Sequence, residues 1–429
     1  MQRKFLFLQG VASPFFSHLG DWLVSRGERV YRINFCAGDA LYWRGKAAWD
    51  YRGTIDRFAN YAGEKCDSHA ITDCVLFGDQ RPLHQAAIGV VQRAGLRLHT
   101  FEEGYVRPNY VTLERGLSNA ASALPRDPGW YLSVAAFLDD HEPAVPLFKP
   151  FPARAMYDMA YHAANAINPI AYRGYRTHRP FNSAVEYAGW GWRYAQYPRW
   201  QGRDNAVIQG LMAKRVPYFL VPLQLNGDYQ LTRHSMFQHM TQVVERVMGS
   251  FAAHAPPEAA LVFKNHPLDT GLCDYARLIR RLARQLDTGA RTNYIESGHL
   301  PTLLEHARGV VTVNSTVGLS ALHHGRPTKA LGNAVYDIPG LTCQCPLDEF
   351  WRDLRTPDPG LYRAYRRVVL DATQIAGDFF TRAGIATALK GCERLLEPRS
   401  RLEQLFERFP VQSEFASRAL SAVRAQAVG

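Results

Sequence analysis

Three short strings pair residue types that can do chemistry with places where they could do it. The first is Thr100-Phe101-Glu102-Glu103-Gly104-Tyr105-Val106-Arg107-Pro108, directly after a predicted strand. Two successive carboxylates cannot point the same way from an extended chain. A turn at Gly104 would therefore present one to a cleft and leave the other to Arg107 or a backbone donor. A carboxylate so placed can act as a general base or as a nucleophile toward an anomeric carbon; a solvated acidic turn is the plainer reading. The second string runs from Val310 to Ser320 and carries Asn314-Ser315-Thr316 between a buried strand and a helix beginning near Val317. Backbone N–H groups and the dipole at a helix start favour an anion such as a phosphate, and Ser and Thr add hydroxyl donors. Alternatively, Ser315 or Thr316 only caps its own helix. The third is Lys264-Asn265-His266-Pro267, another strand end, with Pro267 suited to the first helical position. There His266 would donate to a phosphate oxygen or protonate a leaving group, and Lys264 would add charge, although a lone histidine usually serves packing.

Two further strings place polar groups after strands. Residues 221–230 include Gln224 and Asn226, and residues 77–84 include Asp79 and Arg81. A polar loop is the alternative for each. Gly10 ends the first strand and would border the same cleft as Asp79. The histidines show no H-E-x-x-H spacing, and Cys343-Gln344-Cys345 lacks the spacer and second pair of a zinc site, so no metal is assigned. No G-x-S-x-G elbow, P-loop or G-x-G-x-x-G string occurs, which argues against a serine hydrolase, a P-loop enzyme and a dinucleotide redox enzyme.

The elements that must hold these groups follow a β-α-β rhythm. Strand-like runs at 4–8, 29–34, 74–77 and 96–101 alternate with helical patterns at 17–26 and 82–94. The second half repeats it, with strands at 218–222, 260–263, 292–295, 309–313 and 328–331 and helices around 234–249, 274–286, 301–307 and 317–325. This is the pattern of parallel sheets covered by helices. The fold class is α/β: two Rossmann-like domains facing a cleft, with a C-terminal helical tail. The expected boundaries are 1–200, a first domain with a helical linker within 146–203; 201–360, the second domain; and 361–429, a tail packing back on the first. Tail helices are expected within 360–382, 385–395, 401–408 and 413–425. In open sheets of this kind ligands bind beyond the carboxyl ends of the strands.

The chain of 429 residues is 47% hydrophobic and 21% charged, enough apolar surface to fold as a globular protein. The apolar windows fall short of a spanning helix. The basic-then-apolar start, Met1 to Leu8, breaks at Gln9-Gly10 and reads as a buried strand rather than a signal peptide. Seven scattered cysteines fit reduced thiols in the cytoplasm. The net charge of +11 favours an anionic partner: acidic phospholipid, a phosphorylated substrate or nucleic acid. Basic residues spread as pairs, without zinc-finger or RNP-like strings, make nucleic acid the weakest of these.

The residues 101–108, Pro222-Leu223-Gln224, Lys264-Asn265-His266-Pro267, Val313 to Leu322 and Tyr336 to Thr342 together resemble the capsular polysaccharide biosynthesis/export proteins of the KpsS/LipB type. The resemblance runs from the first strand to about Thr342. It implies a GT-B-like β-Kdo transferase, retaining and without a cofactor, that uses CMP-Kdo to start a Kdo linker on a phosphatidylglycerol-type lipid. It further implies a cytoplasmic protein, peripheral on the inner face of the inner membrane of Gram-negative bacteria, beside other capsule biosynthesis and export proteins. In one respect the chain is also similar to bacterial sialyltransferases, whose His-Pro and Ser/Thr motifs hold CMP; here these are His266-Pro267 and Ser315-Thr316. Related Kdo transferases carry Glu-Asp-Gly where this chain has Glu102-Glu103-Gly104. Either carboxylate is open as the nucleophile; Glu103 is the choice, Glu102 its support and Asp79 the next candidate. From their places at the strand ends, Lys264, Asn314 and Gln224 are read as donor-side and Gly10, Asp79 and Arg107 as acceptor-side or cleft residues. The alternatives are a non-catalytic lipid- or polysaccharide-binding export component, and a GT-B enzyme using a UDP-sugar.

Overall fold

The computed structural model describes residues 2–43, 45–139, 145, 148–177, 183–226, 231 and 233–411. The helix expected at 413–425 and residues 227–230 of the polar string lie outside them. In chain order the strands are β1 (Lys4–Phe7), β2 (Arg29–Asn34), β3 (Trp49–Asp50), β4 (Asp73–Phe77), β5 (Arg97–Glu103), β6 (Tyr110–Arg115), β7 (Tyr218–Pro222), β8 (Ala260–Lys264), β9 (Thr292–Ile295), β10 (Gly309–Thr312), β11 (Thr328–Ala330) and β12 (Gln374–Ala376). The chain divides into two units: Met1–Pro125, Ser133–His178 and Tyr365–Gly429 in the first, Arg126–Leu132 and Arg179–Ala364 in the second. The protein is thus α/β with two parallel-stranded sheets.

The first sheet has the order β12-β6-β5-β4-β1-β2-β3. Pairing from β3 through β5 is parallel, whereas β6 is antiparallel to both β5 and β12. Period-2 alternation explains β1: Phe5 and Phe7 enter a core with Phe15, Phe16, Phe101 and Phe379, while Leu6 and Leu8 enter the opposite one with Ile33, Phe58 and Leu76. Both faces are covered, so the strand reads as a continuous apolar run. The helix Arg382–Gly391 adds Ile385 and Ala388 to the Phe5 core. The tail expected to be all helical therefore contains a strand, β12, whose three residues are too few to show alternation.

The second sheet, β11-β10-β7-β8-β9, is parallel throughout. Phe219 and Val221 of β7 join Phe251, Phe263 and Trp351 in one core, and Tyr218 and Leu220 join Val262, Leu304 and Val310 in the other. The region read as linker holds the helices Phe151–Ala164 and Asn168–Ala171 and a 31-residue helix, Ser183–Ala213, which clusters with the second unit although the expected boundary fell at 200. Among the described residues no helix is long and apolar enough to cross a membrane.

Candidate active site

Each sheet has one place where the chain leaves neighbouring parallel strands in opposite directions. In the first it lies between β1 and β4, in the second between β7 and β10. Ligands of open α/β sheets collect beyond the carboxyl ends at such a point; Gly10, Asp79, Gln224 and Asn314 follow those strands, with Glu102, Glu103 and His266 one strand over.

At the first point Arg81 bridges the two strand ends. Its Nη1 donates to the Gly10 carbonyl at 3.1 Å, and its guanidinium lies 5.4 Å from the Phe77 ring centroid. Gly78, at φ +71°, turns the chain after β4 in a conformation that favours glycine, and an added Cβ would meet Glu102 Oε2 at 3.3 Å, close enough that the carboxylate would have to shift. His84 Nδ1 holds the Gly78 carbonyl at 2.6 Å. Burial pushes the Glu102 carboxyl up to about 7; the charges of Glu103 and Asp79 act the same way, against the Glu103 N–H and Arg81. That N–H donates to Glu102 Oε1 at 3.0 Å.

The two glutamates are the last residues of β5, paired with Thr112 and Val111 of β6, and not part of a turn after the strand as expected. Alternation along the strand separates them. Glu103, with its side chain 30% exposed, accepts from Arg154 Nη1 at 3.0 Å. Arg107 is exposed and donates through Nε to the Gly104 carbonyl at 3.1 Å, while the Glu103 carboxylate is held by Arg154 instead, across 51 residues of sequence. Asp79 does not line an open cleft: it is 1% exposed, and its carboxylate accepts the Ser118 N–H at 2.9 Å and the Gln80 amide at 3.1 Å. Burial pushes its carboxyl up as well.

At the second point Gln224, after β7, and Asn314, after β10, hold each other. Gln224 Nε2 donates to Asn314 Oδ1 at 3.0 Å and Gln224 Oε1 accepts the Asn314 N–H at 3.3 Å. Thr316 is the N-cap of the helix Val317–His323 without a side-chain capping bond; Ser315, one residue before it, accepts the Val317 N–H at 3.2 Å through its hydroxyl, and its carbonyl accepts the Tyr336 hydroxyl at 2.6 Å. Gly318 makes that contact possible, since a Cβ there would lie 2.1 Å from the Tyr336 oxygen. Asn314, Ser315 and Thr316 are all part-exposed.

One strand over, His266 Nδ1 accepts the Leu268 N–H at 3.1 Å, which assigns the proton of the neutral ring to Nε2 and makes that atom a donor. Pro267 is exposed and lies in a turn, not at a helix start; the following helix begins only at Tyr275. The intervening loop is closed by Asp269, which accepts the Gly271 N–H at 3.0 Å and the Asn265 amide at 3.2 Å. Lys264 is 7% exposed, with Nζ 3.4 Å from the Asn265 carbonyl, and burial followed by the charge of Arg193 pushes its ammonium down.

The sequence reading missed what positions this loop. Arg193, on the Ser183–Ala213 helix, donates to the carbonyls of His266 at 3.0 Å and Asp269 at 2.6 Å and pairs with Glu296 at 2.7 Å. Trp190 Nε1 donates to the Leu268 carbonyl at 3.1 Å. Asp204, fully buried, accepts the N–H groups of Glu296 and Ser297 at 2.8 and 2.9 Å. Arg154 was missed in the same way, and Arg81 stood in a quoted string without a role. No local signal marks Arg154 or Arg193, since their partners lie 51 and 73 residues away. Among the described residues, no group of three or more His, Cys, Asp or Glu is arranged to hold a metal ion.

Comparison with known proteins gives this arrangement a context. The chain is 36% identical over 380 residues to the capsule polysaccharide export protein KpsS of Escherichia coli, covering 88% of this chain and 97% of that one. It is 36% identical over 383 residues to the capsule polysaccharide modification protein LipB of Neisseria meningitidis serogroup B, covering 88% and 91%. Among solved structures, the β-Kdo 2,7 transferase of Thermosulfurimonas dismutans KpsC aligns with 86% of this chain and 99% of its own at 13% identity and a TM-score of 0.40. Residues 72–380 match the capsule polysaccharide biosynthesis protein family, and with relatives this similar over nearly their whole length, the chain belongs to that family.

Proposed function

We propose that the protein is a retaining β-Kdo glycosyltransferase that moves Kdo from CMP-Kdo to a phosphatidylglycerol-type lipid and so begins the linker for capsular polysaccharide export. The observation that carries this reading is the division of chemistry between the two sheet ends. Carboxylates stand at the first and neutral hydrogen-bonding groups at the second, as a sugar-transfer step and a nucleotide phosphate respectively require.

In this reading the hydroxyls of Ser315 and Thr316, the Gln224–Asn314 pair and the Nε2–H of His266 hold the CMP of the donor. Pro267 shapes the turn that carries His266, and Lys264 contributes a buried positive charge behind it. Glu103 attacks the anomeric carbon; a carbon–oxygen bond to Glu103 forms as the bond to the CMP phosphate breaks, and the electron pair leaves with CMP. His266 stabilises that departing phosphate by hydrogen bonding. The acceptor hydroxyl then attacks the same carbon, frees Glu103 and loses its proton to solvent, and two inversions give net retention. Arg154 holds the Glu103 carboxylate in place, and Glu102 fixes the Glu103 backbone through its N–H. Arg81 steadies the Gly10 turn against the Phe77 ring beside the acceptor, and His84 the Gly78 turn. Neither a metal nor a cofactor takes part in these steps. With a +11 charge, the protein works in the cytoplasm as a peripheral protein on the inner face of the inner membrane, alongside other capsule proteins.

The test is transfer from radiolabelled CMP-Kdo to phosphatidylglycerol by the purified protein. Release of CMP with label in the lipid is expected. Binding of CMP-Kdo without turnover would overturn the reading in favour of a non-catalytic export component.

A further inference from the structure

We propose that the outward face of the Phe151–Ala164 helix, continued by Asn168–Ala171, is the surface that docks the protein on an anionic phospholipid bilayer. The idea rests on the lipid-acceptor reading for its purpose, but its observations are separate.

The inner side of this helix is fastened to the first unit. Tyr161, 9% exposed, places its hydroxyl 3.0 Å from Cys36 Sγ, 3.1 Å from Asp39 Oδ1 and 3.0 Å from Gln9 Nε2. The Tyr157 carbonyl accepts the Tyr42 hydroxyl at 2.7 Å. Asn165 and Asn168 accept the N–H groups of Gly38 and Ala37 at 2.7 and 2.9 Å, at the start of the Ala37–Leu41 helix. With its polar side chains engaged inward, the outer face consists of Pro152, Met156, Met159, Ala160 and Ala163, all exposed, on an arc of roughly 100° at 100° per residue.

A surface helix normally turns such a stripe to the core; here a contiguous one faces solvent. It continues into Ile167 and Ile170, which are 56% and 79% exposed. Charge selects the occupant. Lys149 precedes the stripe and Arg173 and Arg176 follow it, all exposed, while over residues 149–177 the only acid is Asp158, turned toward His162 at 3.6 Å. An apolar strip with basic ends fits a bilayer interface, with side chains among the acyl chains and cations at the phosphates. The same helix sends Arg154 to Glu103. The membrane would then lie about one helix diameter, roughly 10–12 Å, from the carboxylate end of the first sheet, within reach of a headgroup.

The experiment is co-sedimentation of the full chain with vesicles of phosphatidylglycerol and phosphatidylcholine. Met156→Glu, Met159→Glu and Ile170→Glu combined should weaken binding about tenfold or more at low and high salt alike, and Met156→Gln with Met159→Gln should do so in part. Arg173→Gln with Arg176→Gln should weaken it only at low salt, where screening is slight. Undiminished binding by the glutamate variant overturns the inference. So does a wild-type chain that ignores vesicles but self-associates through this face, since a second copy would then be the occupant. Vesicle binding lost with CMP-Kdo turnover intact in the wild type counts against docking alone; docking without turnover counts against the transferase reading alone.

Discussion

The two sheet ends are built on one topological device and filled with opposite chemistry. At the carboxyl ends of β4 and β5 the chain sets Asp79 and Glu102 in surroundings that penalise their charge, with Glu103 one residue on and tied to Arg154. At the carboxyl ends of β7 and β10, and of β8 beside them, it sets an amide pair, two hydroxyls and an imidazole whose Nδ1 accepts a backbone N–H. Burying carboxylates costs stability and is retained where reactivity follows from it. Neutral donors carry no such cost and hold a charged ligand without competing for its charge. The difference teaches that similar β-α-β frames can carry opposite chemistry at their strand ends, and in the proposed function that contrast separates bond-making from ligand holding.

The largest test of that separation is Glu103→Gln. The amide keeps the shape and loses the nucleophile, so transfer should fall by about four orders of magnitude or more while CMP affinity, read by calorimetry, stays unchanged. Full transfer would remove Glu103 from the mechanism and bring Glu102 forward. In the second unit the pattern should differ. His266→Ala should lower turnover by roughly 10²–10⁴, and Ser315→Ala with Thr316→Ala should weaken CMP binding by roughly tenfold with the fold intact by circular dichroism. Unaltered CMP affinity in the double variant would assign these hydroxyls to capping alone, as the Ser315 contact to Val317 already allows.

The smallest effect separates the ends through pH. The folded Glu102 carboxyl titrates at about 7 against an ordinary 4.5. Between those values the folded state binds more protons than the unfolded, so this group's contribution falls as pH rises through the window and is lowest above pH 7. Glu102→Gln should therefore raise stability at pH 8 relative to pH 4.5 by about 1–3 kcal/mol, measured by urea denaturation. A change independent of pH would mean that the carboxyl is better solvated than its place against Gly78 implies. No comparable gain is expected from Asn314→Ser in the second unit.

Opposite the site, at the amino ends of the first sheet's strands, Asp73 meets Arg3, Arg97 and His99. These partners hold its carboxyl well below the usual range, despite burial, while burial pushes His99 down to about 4. Charged groups at this end serve the frame. Their types resemble those at the carboxyl ends, so residue type alone does not separate the two; the strand end does.

By itself the sequence determined the strand runs, because a strand covered on both faces must be apolar at successive positions, as in Phe5-Leu6-Phe7-Leu8. It also determined that the His266 and Asn314 motifs follow strand ends, since that is a matter of local order along the chain. It did not determine β6, whose Glu114 and Arg115 break the apolar pattern and whose pairing depends on β5, nor that Pro267 would sit in a turn. Only the tertiary structure decided how Glu102 and Glu103 divide, with one against Gly78 and the other on Arg154. It likewise decided that Asp79 would be buried and that Arg193 would anchor the His266 turn. The physical reason is range: periodicity and capping act over a few residues, whereas burial and ion pairing belong to groups brought together from distant parts of the chain.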